Sequence, residues 1–140
     1  TTTTTTTTTT PPSGVVVAGG NFEGRGLHLF RCPQGVAIDS NMNLFVVDRY
    51  NNRVVKWAPN ATSGVLVAGG NGKGARLDQL NNPYGVDIDS NMNLFVADRS
   101  NDRVVKWPPD ATSGVLVAGG NGLMEQQDAI SLCCHETRSV

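Results

Sequence analysis

The chain has 140 residues, enough for one modest domain, with 11 basic and 12 acidic side chains and a net charge of -1. That balance excludes a bulk field able to recruit nucleic acid or an anionic membrane. No apolar run approaches the roughly 18 residues needed to span a bilayer.

Taken in order, the chain opens on ten threonines followed by Pro-Pro-Ser. Such a stretch cannot bury a core, and residues 1–13 are expected to be a disordered linker, either a plain spacer or an O-glycosylated stalk. "GVVVAGGN" then begins at Gly14, and "GVLVAGGN" returns at Gly64 and Gly114, a spacing of 50 residues both times. Between these octets, Pro33–Gly64 aligns without gaps to Pro83–Gly114, with 25 of 32 positions identical. A period of about 40 to 50 residues is the range of propeller blades.

Each period reads as four short strands. In the second copy they are Gly85–Asp89, Leu94–Asp98, Arg103–Trp107 and Gly114–Gly120, β-branched runs separated by Asn, Asp, Gly and Pro clusters. No helical periodicity appears from Pro11 to Gly120. The expected fold class is therefore all-β: four-stranded antiparallel propeller blades over about 33–70 and 83–120, within a repeat segment 14–122. One further strand is expected before residue 21. After Gly122 the repeat gives way to "LMEQQDAISLCCHETRSV", so 123–140 is expected to be a divergent tail.

The residues of the repeat have structural assignments. Gly35 and Gly85 are expected to permit close approach of the innermost strands. Asn43 and Asn93 are assigned the left-handed position of the first hairpin. Asp48 and Asp98 end the second strand and are expected to accept bonds from the backbone N–H groups of the following turn, with Arg53 and Arg103 pairing to those or to neighbouring carboxylates and holding adjacent blades. Trp57 and Trp107 supply apolar area between sheets.

The pattern P-x-G-V-x-I-D-x-x-x-N-L-F-V-x-D-R-x-N-x-R-V-V-K-W, at Pro33–Trp57 and again at Pro83–Trp107, resembles the NHL repeat. The naming Asn-His-Leu segment is replaced by Asn51-Asn52-Arg53 and Asn101-Asp102-Arg103. The resemblance implies a propeller of about six blades, on the order of 300 residues at this period. Two blades leave apolar faces and edges open. The chain is accordingly expected to be a segment of a larger propeller, with self-association through its open edges as the alternative.

Catalytic and metal-binding patterns find no support. "DSNMN" at Asp39 and Asp89 has oxygen-bearing side chains at alternate positions, as in a calcium loop. It carries Leu44 or Leu94 where that loop needs glycine, and Tyr50 or Ser100 where it needs glutamate. A turn is the better reading. Cys133, Cys134 and His135 are bunched where a zinc site needs spaced pairs, and Cys32 leaves an odd cysteine count that fits no disulfide framework. No cofactor and no metal site is expected. Arg49, Arg53, Lys56 and their copies recur once per blade, but neighbouring acids balance them, so nucleic acid is not the expected partner.

The functional expectation is a non-catalytic binding scaffold for a protein or glycan ligand, with Arg49, Tyr50, Arg99 and Ser100 in the blade turns as the contact residues. The resemblance adds two alternatives. One is the substrate-recognition propeller of a RING-type ubiquitin ligase. The other is a peptidyl-hydroxyglycine amidating lyase, which needs several histidines around a metal where this chain has His28 and His135. Asn60-Ala61-Thr62 is an N-glycosylation sequon. With the threonine tract it favours an extracellular over a cytoplasmic location.

Overall fold

The computed structural model describes residues 13–20 and 22–120. The tail over 123–140, the Cys133-Cys134-His135 cluster and the Thr/Pro tract up to Pro12 lie outside the described residues. Two antiparallel sheets, each a simple meander, account for the regular structure. The first is β1 (Pro33–Ile38), β2 (Leu44–Asp48), β3 (Arg53–Trp57) and β4 (Val65–Gly69), hydrogen-bonded in that order. The second, β5 (Gly85–Ile88), β6 (Leu94–Asp98), β7 (Arg103–Trp107) and β8 (Val115–Gly119), repeats it. These are the expected blade-type sheets, and they do not close into a ring.

Alternation decides what lies between the sheets. Phe45, Val47, Val54 and Ala68 of the first sheet meet Leu94, Val96, Val105 and Trp107 of the second in one buried cluster, plugged by Leu80 from the connecting segment. A bulge on β4 sharpens this contact. Val54 pairs with Ala68 but Val55 pairs with Leu66, so Val67 is the extra residue. Both Val67 and Ala68 therefore reach the inter-sheet core. The first sheet's opposite face carries a smaller cluster of Val46, Val55 and Trp57, with Phe30 tilted against Trp57 at 6.0 Å between ring centroids. Of the two tryptophans expected between the sheets, only Trp107 lies there, because Trp57 is on the side of its sheet that faces away from the second.

A buried ionic tie locks the loop that leads into each blade. Asp48 is fully buried, and its Oδ2 accepts from Arg53 Nε at 2.8 Å and Asn51 Nδ2 at 2.8 Å. Its Oδ1 accepts the Arg31 N–H at 2.7 Å. The other guanidinium nitrogens of Arg53 donate to the carbonyls of Arg25, Gly26 and Leu29. The second blade repeats the tie with Asp98, Asn101, Arg103 and the Asn81 N–H. Here Arg103 holds the carbonyls of Ala75, Arg76 and Gln79 in the segment that joins the sheets. The aspartates thus accept from side chains and from the preceding loop rather than from the backbone of the following turn. That turn closes differently, as one turn of 3-10 helix over Arg49–Asn51 or Arg99–Asn101, ended by Asn52 or Asp102 in the left-handed region.

Two further expectations are corrected. The left-handed residue of the first hairpin is Met42 (φ 66°) or Met92 (φ 67°), not Asn43 or Asn93. The asparagines are used otherwise. Asp39 Oδ1 accepts the N–H groups of Asn41 and Asn43 at 2.9 and 2.8 Å, and its Oδ2 accepts Asn43 Nδ2 at 2.9 Å. Asp89 repeats all three bonds with Asn91 and Asn93. A carboxylate that organises a turn this way forces the intervening residue into the left-handed region. The second correction is the strand before residue 21: Val15–Gly19, the counterpart of β4, is not in a sheet. An outermost strand needs a β3 partner, and none stands beside this one among the described residues.

Breaking either tie strands a buried guanidinium, so Asp48→Ala or Asp98→Ala is expected to cost about 3 kcal/mol or more. Urea denaturation read by tryptophan fluorescence measures this. Asp98→Ala combined with Arg103→Ala should cost less than the two single changes summed. The turn carboxylates give a pH signature. For Asp39, burial raises the pKa, but bonds from Asn43 and Asn41 and the Lys56 charge outweigh it and leave the value lowered. For Asp89 the Asn93 side-chain bond leads, followed by its N–H, and the pKa is again lowered. A depressed folded value means the folded state binds fewer protons than the unfolded chain. The stabilisation is therefore complete above the unfolded value of about 3.9 and is lost as pH falls through the folded one. Thermal melts should decline below about pH 4, and less steeply for Asp39→Asn with Asp89→Asn than for the native chain.

Candidate binding surface

The two 3-10 turns lie at the same end of neighbouring sheets, because both follow the second strand of a blade. Asp48 and Arg53 bracket the first turn, and Asp98 and Arg103 the second, so the ties fix the position of what lies between. The turns are also hung from the preceding loops: the Tyr50 N–H donates to the Arg31 carbonyl at 3.1 Å, and the Ser100 N–H to that of Asn81 at 3.0 Å. This leaves Arg49, Tyr50, Arg99 and Ser100 at the rim, the first half-buried and the others exposed.

Tyr84, which immediately precedes β5, joins the two turns. The Arg49 guanidinium carbon lies 5.0 Å from the centroid of the Tyr50 ring and 5.8 Å from that of Tyr84. The Arg99 guanidinium lies 5.5 Å from the same Tyr84 ring. Arginine and tyrosine thus alternate across the junction: Tyr50, Arg49, Tyr84, Arg99. Each contact at an exposed site is worth about 0.5–1 kcal/mol. Their larger effect is to hold flat side chains in one orientation, which lowers the entropy lost on binding. Arg49 Nη1 also donates to Gln34 Oε1 at 3.3 Å, and its buried Nε has no hydrogen-bond partner. Ser100 sits apart from the ladder and accepts from Asn82 Nδ2 at 3.2 Å.

The two rim arginines form no ion pair among the described residues. The ion pairs among the described residues are Arg53–Asp48, Arg103–Asp98 and the exposed Arg76–Asp78. Neither Arg49 nor Arg99 is in one. A cleft of about 500 Å³ adjoins Tyr50 and is lined by Arg25, Asn52, Arg53 and Lys73 as well, which extends the basic character beside the first turn.

Sequence reasoning placed Arg49, Tyr50, Arg99 and Ser100 in the turns, and the structure brings the first three together. It did not identify Tyr84 or Gln34. A signal for them existed: positions 34 and 84 are among the seven at which the aligned repeats differ, as are Tyr50 and Ser100. Each blade carries one tyrosine at this rim, in the turn of the first and before the first strand of the second.

Other positions singled out in the sequence have the following settings. Asp39 and Asp89 spend their oxygens on their own turns, as set out above, which is the turn reading of "DSNMN". Asn60 is exposed with φ 62°, and its counterpart Asp110 has φ 61°. That left-handed geometry accounts for Asn or Asp at the position whether or not a glycan is attached. Cys32 is exposed and not in a disulfide.

A family model, the NHL repeat, matches residues 30–57. A comparison with curated proteins finds no match. Residues 30–57 run from the ring that packs on Trp57 through β1, β2, the 3-10 turn and β3. Residues 80–107 repeat that unit in sequence and in structure. The chain therefore carries NHL-repeat sequence folded as propeller-type blades.

Proposed function

We propose that this chain is a non-catalytic interaction scaffold. On this reading the ladder of Tyr50, Arg49, Tyr84 and Arg99 receives a protein segment bearing carboxylates. One observation carries the reading: two guanidinium groups lie stacked and pre-oriented on tyrosine rings, and no carboxylate of the described residues pairs with them. Planar guanidinium groups favour two-point contact with carboxylates, and arginine and tyrosine are the side chains that most often dominate interfaces. Ser100 and Gln34 flank the ladder and supply hydroxyl and amide groups for the backbone of a bound segment. The NHL match supports a protein-interaction scaffold in general terms and says nothing of the ligand. No observation on the described residues favours the ubiquitin-ligase or amidating-lyase reading.

Glutamate-rich peptides labelled for fluorescence anisotropy test the proposal, with lysine-rich peptides as the control. Arg49→Ala and Arg99→Ala should each weaken binding of the acidic peptides about tenfold, equivalent to about 1.4 kcal/mol. Tyr84→Phe should retain binding, since the ring face is kept, while Tyr84→Leu should lose part of it. Affinity unchanged after alanine replacement of Arg49, Tyr50, Arg99 and Ser100 together would remove the ladder from consideration.

A further inference from the structure

We infer, on the reading of the ladder as the seat of an acidic protein segment, that this segment carries a phosphorylated side chain whose phosphate is held by Arg25 and Lys73 in the cleft beside Tyr50. Tyr50 belongs to both the ladder and the cleft, so a chain laid on the one has the other next to it. The walls of the cleft come from three places in the sequence. Arg25 stands in the loop ahead of the first blade, and Tyr50 and Asn52 in and just after its 3-10 turn. Gly70, Gly72 and Lys73 belong to the segment that leaves β4.

Charge sets the class of ligand. Arg25 and Lys73 are exposed, and neither is in an ion pair among the described residues. Arg53, the third cation on the wall, is already matched by Asp48 at 2.8 Å. No acidic side chain of the described residues lines the cleft. Two uncompensated positive charges therefore face one space. A phosphorylated side chain brings about −1.5 to −2 at pH 7 with three strong acceptor oxygens, where a carboxylate brings a single charge. Arginine meets it with a planar fork and lysine with a compact point charge. Asn52 adds a neutral donor: its Oδ1 accepts the Asn82 N–H at 2.8 Å, and its Nδ2 donates to no group among the described residues.

The fold does not ask for these side chains, as their counterparts in the repeat make plain. What the buried tie takes from Arg25 is its carbonyl, to which Arg53 Nη1 donates at 2.7 Å. In the second blade Arg103 Nη1 donates to the carbonyl of Ala75, also at 2.7 Å. Asn52 closes its 3-10 turn in the left-handed region with φ 53°, and Asp102 does the same with φ 50°. Lys73 forms an isolated bridge with Leu80, as Glu23 does with Phe30 in the loop before. Alanine, aspartate and glutamate thus serve the backbone as well as the residues of the cleft do. Ala75 would hold no phosphate and Asp102 would repel one, so the second blade keeps the backbone of this corner without its chemistry.

The wall opposite Tyr50 is low. Gly72 has φ 85°, and a Cβ placed on it would meet nothing nearer than Gln79 Nε2 at 3.7 Å. Glycine is there for its backbone conformation and not because of crowding, so the space over it stays open to a ligand. A nucleic acid is the less fitting source of the phosphate. It presents one at every nucleotide and is recruited by a broad positive field, whereas this chain has a net charge of -1. Two free cations gathered at one point beside the ladder match a single dianion among carboxylates.

Fluorescence anisotropy on the full 140-residue chain tests this with a labelled glutamate-rich peptide containing one serine, and with its phosphoserine form. Phosphorylation should tighten binding about tenfold. Arg25→Ala combined with Lys73→Ala should bring the two peptides to equal affinity, with circular dichroism showing the fold intact. The gain should also fade between about pH 7.5 and 5.5, because the phosphate takes up a proton near pH 6 while the carboxylates stay ionised. Arg49→Ala and Arg99→Ala should weaken both peptides and leave the gain in place. The two readings therefore fail separately. Arg49 and Arg99 variants that bind both peptides like the native chain overturn the ladder, and a gain still lost in the Arg25 and Lys73 variant then upholds the cleft. Phosphorylation without gain, or a gain that survives Arg25→Ala with Lys73→Ala, overturns the cleft. A single-stranded RNA that binds more tightly than the phosphopeptide, and through the same two residues, overturns it in favour of nucleic acid.

Discussion

Everything positioned in this molecule depends on a buried aspartate at the end of each second strand. Asp48 and Asp98 are fully excluded from solvent, and a carboxylate so placed is tolerable only if its oxygens are satisfied and its charge is matched. Arginine, asparagine and one backbone N–H do this in each blade. The consequence reaches beyond the pair. Once its Nε faces the aspartate, the arginine has four further donors and no freedom to turn, so the loop ahead of the blade must bring carbonyls to it. An irregular loop thereby gains a fixed path, which the apolar contacts of Leu80 or Phe30 alone would not dictate.

The same tie explains where variation is permitted. Asp48 and Arg53 are register partners on adjacent strands, and the four residues between them must close a turn of fixed span. Arg49 and Asn51 are repeated as Arg99 and Asn101, but Tyr50 becomes Ser100. Asn51 and Asn101 bond inward to the aspartate and to the Gly24 or Gly74 carbonyl, so they are not free to change. Tyr50 and Ser100 are tied to the preceding loops by their backbone N–H groups, and their side chains stay exposed, with one ring contact to Arg49 and one hydrogen bond from Asn82 respectively. A rigid turn with one uncommitted outward position is well suited to recognition, because the scaffold need not be re-solved when the contact residue changes.

Much of this was legible in the sequence, and the failures have physical causes. Strand number and boundaries followed from β-branched runs between turn residues, and the repeat made each assignment twice. The Asp–Arg pairing was readable because the two residues are five apart across a hairpin. Met42 as the left-handed residue was not, since propensity favours asparagine there and the Asp39 side chain overrides it through bonds that spacing alone does not reveal. Residues 14–20 match β4 in sequence but are not a strand, because an outer strand is made by its neighbour and not by its own residues. Tyr84 escaped notice for a related reason. It lies 34 residues from Tyr50 in the chain, and only the packing of one sheet on the next brings it beside Arg49.

That last point generalises to the whole molecule. A tandem repeat writes both halves of an interface into every unit, since each blade must be a neighbour on both sides. Between the two described sheets the interface is filled once. The unfilled halves are not degraded: Ile38, Val36 and Phe95 retain the residue types that Ile88, Val86 and Phe45 use in the buried junction. Exposed valine, isoleucine and methionine on one sheet face are costly to solubility, and nothing in the internal packing of the first blade calls for them. Their presence follows if the blade's outer face is built for another blade of the same kind, and the open space beside Gly85 is the backbone's version of the same statement.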